Sequence, residues 1–215
     1  MRWKEFAVKE ARQTLAAWEA RVGPLKPPIA VEDIADLLYL LAIDVTFDLP
    51  RTLAGRLYAE QRIIEVRRSD SPRRQRFTIA HEVGHYRLHV VAKGIQSGSY
   101  DCSSAIIGAG DGEGQSPKPI REAPLPGFAA PGTFATPALS ERKVRQLEIE
   151  ANAFAAELLM PAPLVEQAIA RYGKDVRGLA EHFDVSLQAM QIRLEKLLLL
   201  PPPGPQMSLF GEVPD

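Results

Sequence analysis

The 215 residues are 46% hydrophobic and 25% charged, an ordinary globular composition with material for one full core and a small appendage. Basic and acidic residues number 26 and 27, so no overall field marks the molecule for nucleic acid or a membrane surface, and any such role has to be local. A single cysteine, Cys102, excludes an internal disulfide framework and fits a reducing compartment.

The stretch MRWKEFAVKEARQTLAAWEA mixes charges with apolar residues at helical spacing and lacks the uninterrupted apolar run of a secretion signal, so a cytoplasmic location is expected. A helix is predicted over 3–22, closed by Gly23 and Pro24, and VEDIADLLYLL supplies a second after the stiff connector PLKPP. IDVTF, RTLAGRLYAE and QRIIEVRR read as three short strands of a small antiparallel sheet, with GRLYAE expected at a free edge where an extended peptide would pair. Ser71 and Pro72 make a helix start, a capping hydroxyl followed by a first-turn proline, and that helix runs through two histidines.

From about 92 to 138 the chain is dense in Gly, Pro and Ser without periodicity, which predicts a mobile loop or lid and no fold element. Ser140 then caps a long helix, SERKVRQLEIEANAFAAELLM, which Pro161 and Pro163 stop. Two or three further helices fill 163–200, and PPPGPQMSLFGEVPD reads as a disordered tail. No apolar run approaches the roughly 20 residues of a membrane span. The expected fold class is α+β.

HEVGH, residues 81–85, carries the chemistry. Helical residues four apart lie on one face about 6 Å apart along the axis, so His81 and His85 present two imidazoles to one ion, with Glu82 about 100° round beside them. That pattern suits a hydrolytic zinc site: two neutral imidazole ligands, water made acidic by the ion, and a carboxylate to take its proton. Phe77, Ala80, Gly84 and Leu88 share the histidine stripe, while Ile79, Val83, Tyr86 and Val90 make a second apolar stripe, so the helix is buried and its histidines need partners. His89 drifts further round an ideal helix and reads as a surface residue.

A third ligand is sought in LEIEANAFAAELLMP. Glu148 and Glu150 lie about 200° apart on a helix, so at most one faces the site. Glu148 shares its stripe with Asn152, Ala155 and Leu159, whereas Glu150 goes with Ala153 and Glu157, which favours Glu148. Asn152, one turn on, is placed to hydrogen-bond a ligating histidine and hold its tautomer.

RRQRFTIAHEVGHYRLH followed by LEIEANAFAAELLMP resembles the ImmA/IrrE family of bacterial and phage metallopeptidases, and PPIAVEDIA matches the family's entry segment. The resemblance spans roughly 27–200 and implies His81, His85 and Glu148 as zinc ligands with Glu82 as the catalytic base. It also implies a protein substrate, since members of the family cleave helix-turn-helix transcriptional repressors in stress or mobile-element responses. The Gly- and Pro-rich segment before Glu148 is longer than the family's usual connection.

The expected organisation is a zinc metallopeptidase domain over 1–165, with a mobile insertion at about 92–138, a helix-turn-helix-like subdomain over 166–200 and a tail over 201–215. In DVRGLAEHFDVSLQAMQIRLEKL, Leu179, Ala180 and Phe183 share one helix, Val185 sits in the turn, and Ser186 caps a second helix with Met190 and Leu194 inward, the spacing of a helix-turn-helix. Its outward Gln188, Gln191, Arg193, Glu195 and Lys196 are nearly balanced in charge, so the electrostatic footprint for direct DNA binding is missing. The tail's QMSLF, with Gln206, Leu209 and Phe210, resembles a sliding-clamp docking peptide. Tyr58 and Tyr100 are candidate oxyanion donors, and Cys102 is weighed as an inhibitory thiolate against a plain surface cysteine. The functional expectation is a zinc-dependent endopeptidase acting on a transcriptional repressor through Glu82, with Mn²⁺ as a substitute metal and no membrane partner. The alternative is a catalytically silent regulator that binds protein or DNA through its C-terminal helices, docked on the clamp.

Overall fold

The computed structural model describes residues 2–94, 99–103 and 141–200. Helix α1 (Arg2–Val22) buries Ala7, Ala11, Leu15 and Trp18, a stripe at helical spacing, against α4 (Glu141–Leu159). Helix α2 (Val31–Tyr39) ends at Leu40 in the left-handed region, φ 55°, which turns the chain sharply into β1 (Ala42–Thr46). Strands β2 (Leu53–Tyr58) and β3 (Ile63–Arg67) follow, then α3 (Pro72–His85), a π-helical turn (Tyr86–Val91) and β4 (Ser99–Ser103). Beyond α4, helices α5 (Ala162–Tyr172), α6 (Val176–Phe183) and α7 (Leu187–Lys196) complete the described chain.

The fold is α+β, as expected, but the sheet is mixed. Its order is β1-β3-β2-β4, with β1 parallel to β3 and β2 antiparallel to both neighbours. Two expectations are corrected by this order. Strand β4 lies inside the segment read as irregular, and β2, which holds GRLYAE, is paired on both sides; the edges are β1 and β4.

Helix α3 starts as its sequence dictates, with the Ser71 hydroxyl accepting from Arg74 N at 3.4 Å and Pro72 in the first turn. From Thr78 to His85 every residue is buried, because α3 is covered by the sheet on one side and by α2 and α4 on others. Two glycines permit that close packing. A β-carbon on Gly55 of β2 would lie 2.3 Å from Thr78 Cγ2 and 3.2 Å from Glu82 Oε1, and one on Gly84 would lie 3.1 Å from Phe154 Cδ1 and 3.3 Å from the Ala151 backbone.

The C-terminal helices are tied to this core. Asp175 and Ser186 cap α6 and α7 with their side chains, and Leu179, Ala180, Phe183, Val185, Met190 and Leu194 are buried. Arg73 Nε and Arg76 Nε reach Asp184, in the turn between α6 and α7, at 3.1 and 3.3 Å. Arg193, read as outward, is instead buried, donating to Met160 O at 2.9 Å and pairing with buried Glu157. A long guanidinium on an otherwise polar helix face gives no periodicity signal for such burial. Among the described residues no single helix is long and apolar enough to cross a membrane.

Candidate metal centre

Helices α3 and α4 cross where Gly84 meets Ala151, and the crossing brings together the side chains that flank those residues. His81 and His85, one turn apart on α3, face each other with Nε2 atoms 2.9 Å apart. Glu148 of α4 straddles them, Oε2 at 3.3 Å from His81 Nε2 and Oε1 at 3.3 Å from His85 Nε2. All three side chains are buried.

The donor set fits a divalent ion. Tetrahedral ligands at about 2.1 Å from a metal lie roughly 3.4 Å from one another, so two of the three separations match and the third needs only a small opening. Donor polarity agrees. His81 Nδ1 lies 3.0 Å from Asn152 Oδ1; a carbonyl oxygen accepts, so His81 carries its proton on Nδ1 and turns a lone pair toward His85 and Glu148. Lone pairs and a carboxylate converging on one buried point are groups that a cation placed between them would satisfy. The arrangement suits a zinc-like ion bound by two nitrogens and one oxygen, with a further position open.

Electrostatics keep the donors ready. Burial lowers the His85 pKa to about 4, against the weaker opposing pull of Glu148, so the imidazole is neutral at pH 7. Burial alone would raise the Glu148 pKa, but on acidification the adjoining imidazoles take up protons first, outweigh burial and hold the carboxyl well below the usual range. Glu82 is fully buried beside Gly55 of β2, on the sheet side of α3.

His89, read as a surface residue, is buried, with Nδ1 at 3.0 Å from His85 Nδ1 and Nε2 at 3.1 Å from Glu150 Oε2. The π-turn is the reason. Its wider coil turns less per residue than the about 100° of an α-helix, so His89 swings back toward the side of His81 instead of standing about 80° round from it. Glu150, assigned to the other side of α4 from Glu148, meets this second histidine, with Lys93 Nζ and Gln146 Nε2 donating to it at 2.6 Å each. The four-residue step from His85 was the signal in the sequence that could have placed His89 beside it.

Of the two tyrosines, Tyr58 is engaged by Arg56 at 3.1 Å and Glu65 at 3.3 Å, away from the histidines. Tyr100, on β4, stacks on His85 and His89 with ring centroids 5.1 and 5.9 Å away, and burial pushes its hydroxyl up to about 12. Among the described residues the buried Tyr100 hydroxyl has no hydrogen-bond partner. The Cys102 side chain, Ser140, the segment 104–138 and the tail peptide around Gln206, Leu209 and Phe210 lie outside the described residues.

The model of the IrrE N-terminal-like domain, Peptidase_M78, matches residues 43–102 and 134–195. The radiation response metalloprotease IrrE of Deinococcus radiodurans is 29% identical over 127 residues, which is 59% of this chain and 28% of that protein. A Mycobacterium tuberculosis transcriptional regulator has a similar fold, with a TM-score of 0.53 at 15% identity over 91% of this chain and 47% of that one. The chain therefore spans less than half the length of either relative.

Proposed function

This chain belongs to the family of IrrE N-terminal-like domains, and from that membership together with its His81, His85 and Glu148 cluster we propose that it is a zinc-dependent endopeptidase acting on a regulatory protein. The observation that carries the reading is the convergence of two imidazoles and a carboxylate, from two helices, on one buried point, with Glu82, the residue after His81, buried on the sheet side of the same helix. A bound zinc ion would supply Lewis acidity, polarising the scissile carbonyl and making a water molecule acidic near pH 7.

The residues of the chain do the rest. Glu82 takes the proton of the attacking water and hands it to the leaving amine, a transfer suited to a carboxylate held in a dry pocket. Asn152 keeps His81 in its Nδ1–H tautomer. Tyr100 suits the role of hydrogen-bond donor to the developing oxyanion better than Tyr58: its hydroxyl stays protonated, lacks another partner among the described residues, and adjoins His85. Strand β4 is the edge against which an extended peptide would lie.

A helix-turn-helix repressor is the substrate this reading favours. The test is to incubate the zinc-loaded protein with repressors encoded beside its gene. One specific fragment, absent with Glu82→Gln, is expected; parent and variant producing the same fragment would remove Glu82 as the base, and no fragment from any such repressor would remove that substrate class.

A further inference from the structure

Past His85, on the side away from Glu148, runs a second row of buried polar groups. His85 Nδ1 meets His89 Nδ1 at 3.0 Å, His89 Nε2 meets Glu150 Oε2 at 3.1 Å, and Glu150 takes Lys93 and Gln146 on its two oxygens. His89 and Glu150 are 0% and 1% exposed. Tyr100 lies nearly parallel to both imidazoles, 30° from one and 28° from the other, and covers the row with its ring.

The proton positions follow from what each group can give or take. A carboxylate that already receives an ammonium and an amide N–H is an acceptor, so His89 donates to it from Nε2. A neutral imidazole carries one N–H, which leaves a lone pair on His89 Nδ1. That lone pair faces His85 Nδ1, so His85 donates from Nδ1, and its Nε2 keeps the lone pair directed at His81 and Glu148. Every hydrogen bond therefore points outward, from the ring at the centre to the carboxylate.

We propose that His89 and Glu150, anchored by Lys93, form a positioning relay that fixes His85 as an Nε2 metal ligand. It rests on the metal-dependent reading above and extends it to residues that touch neither the ion nor a substrate. The two ligands are supported unequally: His81 leans on a neutral amide, while His85 leans on an imidazole backed by a carboxylate, which makes His85 the more electron-rich donor. The π-turn serves this scheme, since on an unbroken α-helix His89 would stand about 80° round from His81, further from the line of the two ligands.

The test compares zinc affinity, by chelator competition, in the parent chain, His89→Phe and His89→Asn. Phenylalanine keeps a ring under Tyr100 but offers no acceptor, whereas the Asn Oδ1 stands close to the place of Nδ1. The relay predicts binding weakened about 10–100-fold in His89→Phe and largely restored in His89→Asn. Equal affinity in all three, or equal losses in both variants, which would mark simple packing, would overturn it. A parent that binds no zinc would instead defeat the metal-dependent reading itself. A second measurement needs no variant: long-range ¹H–¹⁵N correlation on the zinc-loaded parent is expected to show neutral His89 with its proton on Nε2 and His85 with its proton on Nδ1. A doubly protonated or Nδ1–H His89 would overturn the relay.

Discussion

Gly84→Ala strikes the crossing on which the site depends. The added methyl would lie 3.1 Å from Phe154 Cδ1 and 3.3 Å from both Cα and O of Ala151, where carbon contacts settle at about 3.5–4.0 Å. The phenyl ring can swing aside; the Ala151 backbone belongs to α4 and moves only with it, so α3 and α4 separate by a few tenths of an ångström. Two terms then compete in the metal-free protein. Replacing glycine within a helix gains about 1 kcal/mol, and overpacking a buried contact costs about 1–3 kcal/mol. The balance is a loss of roughly 0–2 kcal/mol, at about 2–4 °C of unfolding temperature per kcal/mol for a chain of this size. A metal held there would sense the shift more sharply, because bond lengths tolerate only about 0.2 Å and Glu148 rides on the helix that moves. Thermal unfolding in chelator and zinc competition should together show modest destabilisation and affinity reduced on the order of tenfold. A variant stabilised by the full propensity gain of about 1 kcal/mol, with the parent's zinc affinity, would refute the argument that this crossing sets the ligand geometry.

Glu82→Gln should retain stoichiometric zinc while cleavage falls at least about 10²-fold, read by metal analysis and fragment yield; loss of the metal instead would show that Glu82 is a ligand. Tyr100→Phe should keep KM and zinc affinity and lower kcat by about 10²-fold, and an unchanged kcat would remove Tyr100 as the oxyanion donor. In the metal-free protein, burial holds the His85 pKa at about 4 against an ordinary 6.5, so the unfolded chain takes up a proton first as the solution is acidified. Stability contributed by neutral His85 is present above about pH 6.5 and lost as pH falls toward 4, on the order of 3 kcal/mol in all. Melting curves in chelator across that window should show the loss, and His85→Asn should flatten it; a parent curve as flat as the variant's would contradict the assignment.

What the sequence made legible was whatever depends on a regular helix. The four-residue step put His81 and His85 on one face, the Ser71 cap and Pro72 located the start of α3, and the 200° between Glu148 and Glu150 separated two carboxylates that the structure sends to different histidines. Failures occurred where the chain leaves that regularity. A π-turn kept His89 inside, and nothing in YRLHVV announces the wider coil. Strand content was readable in three of four cases, but pairing was not: β1 and β3 are parallel because β2 stands beyond β3 in the sheet, a choice made by tertiary packing against α2 and α3. SYDCS is too short, and too polar around its one tyrosine, to stand out from its Gly- and Ser-rich surroundings.

The most direct measurement is anomalous diffraction at the zinc edge from crystals of the zinc-loaded protein. One peak per chain is predicted, within about 2.0–2.2 Å of Nε2 of His81, Nε2 of His85 and one carboxylate oxygen of Glu148. No peak between the two imidazoles, or a peak from which Glu148 is turned away, would contradict the account.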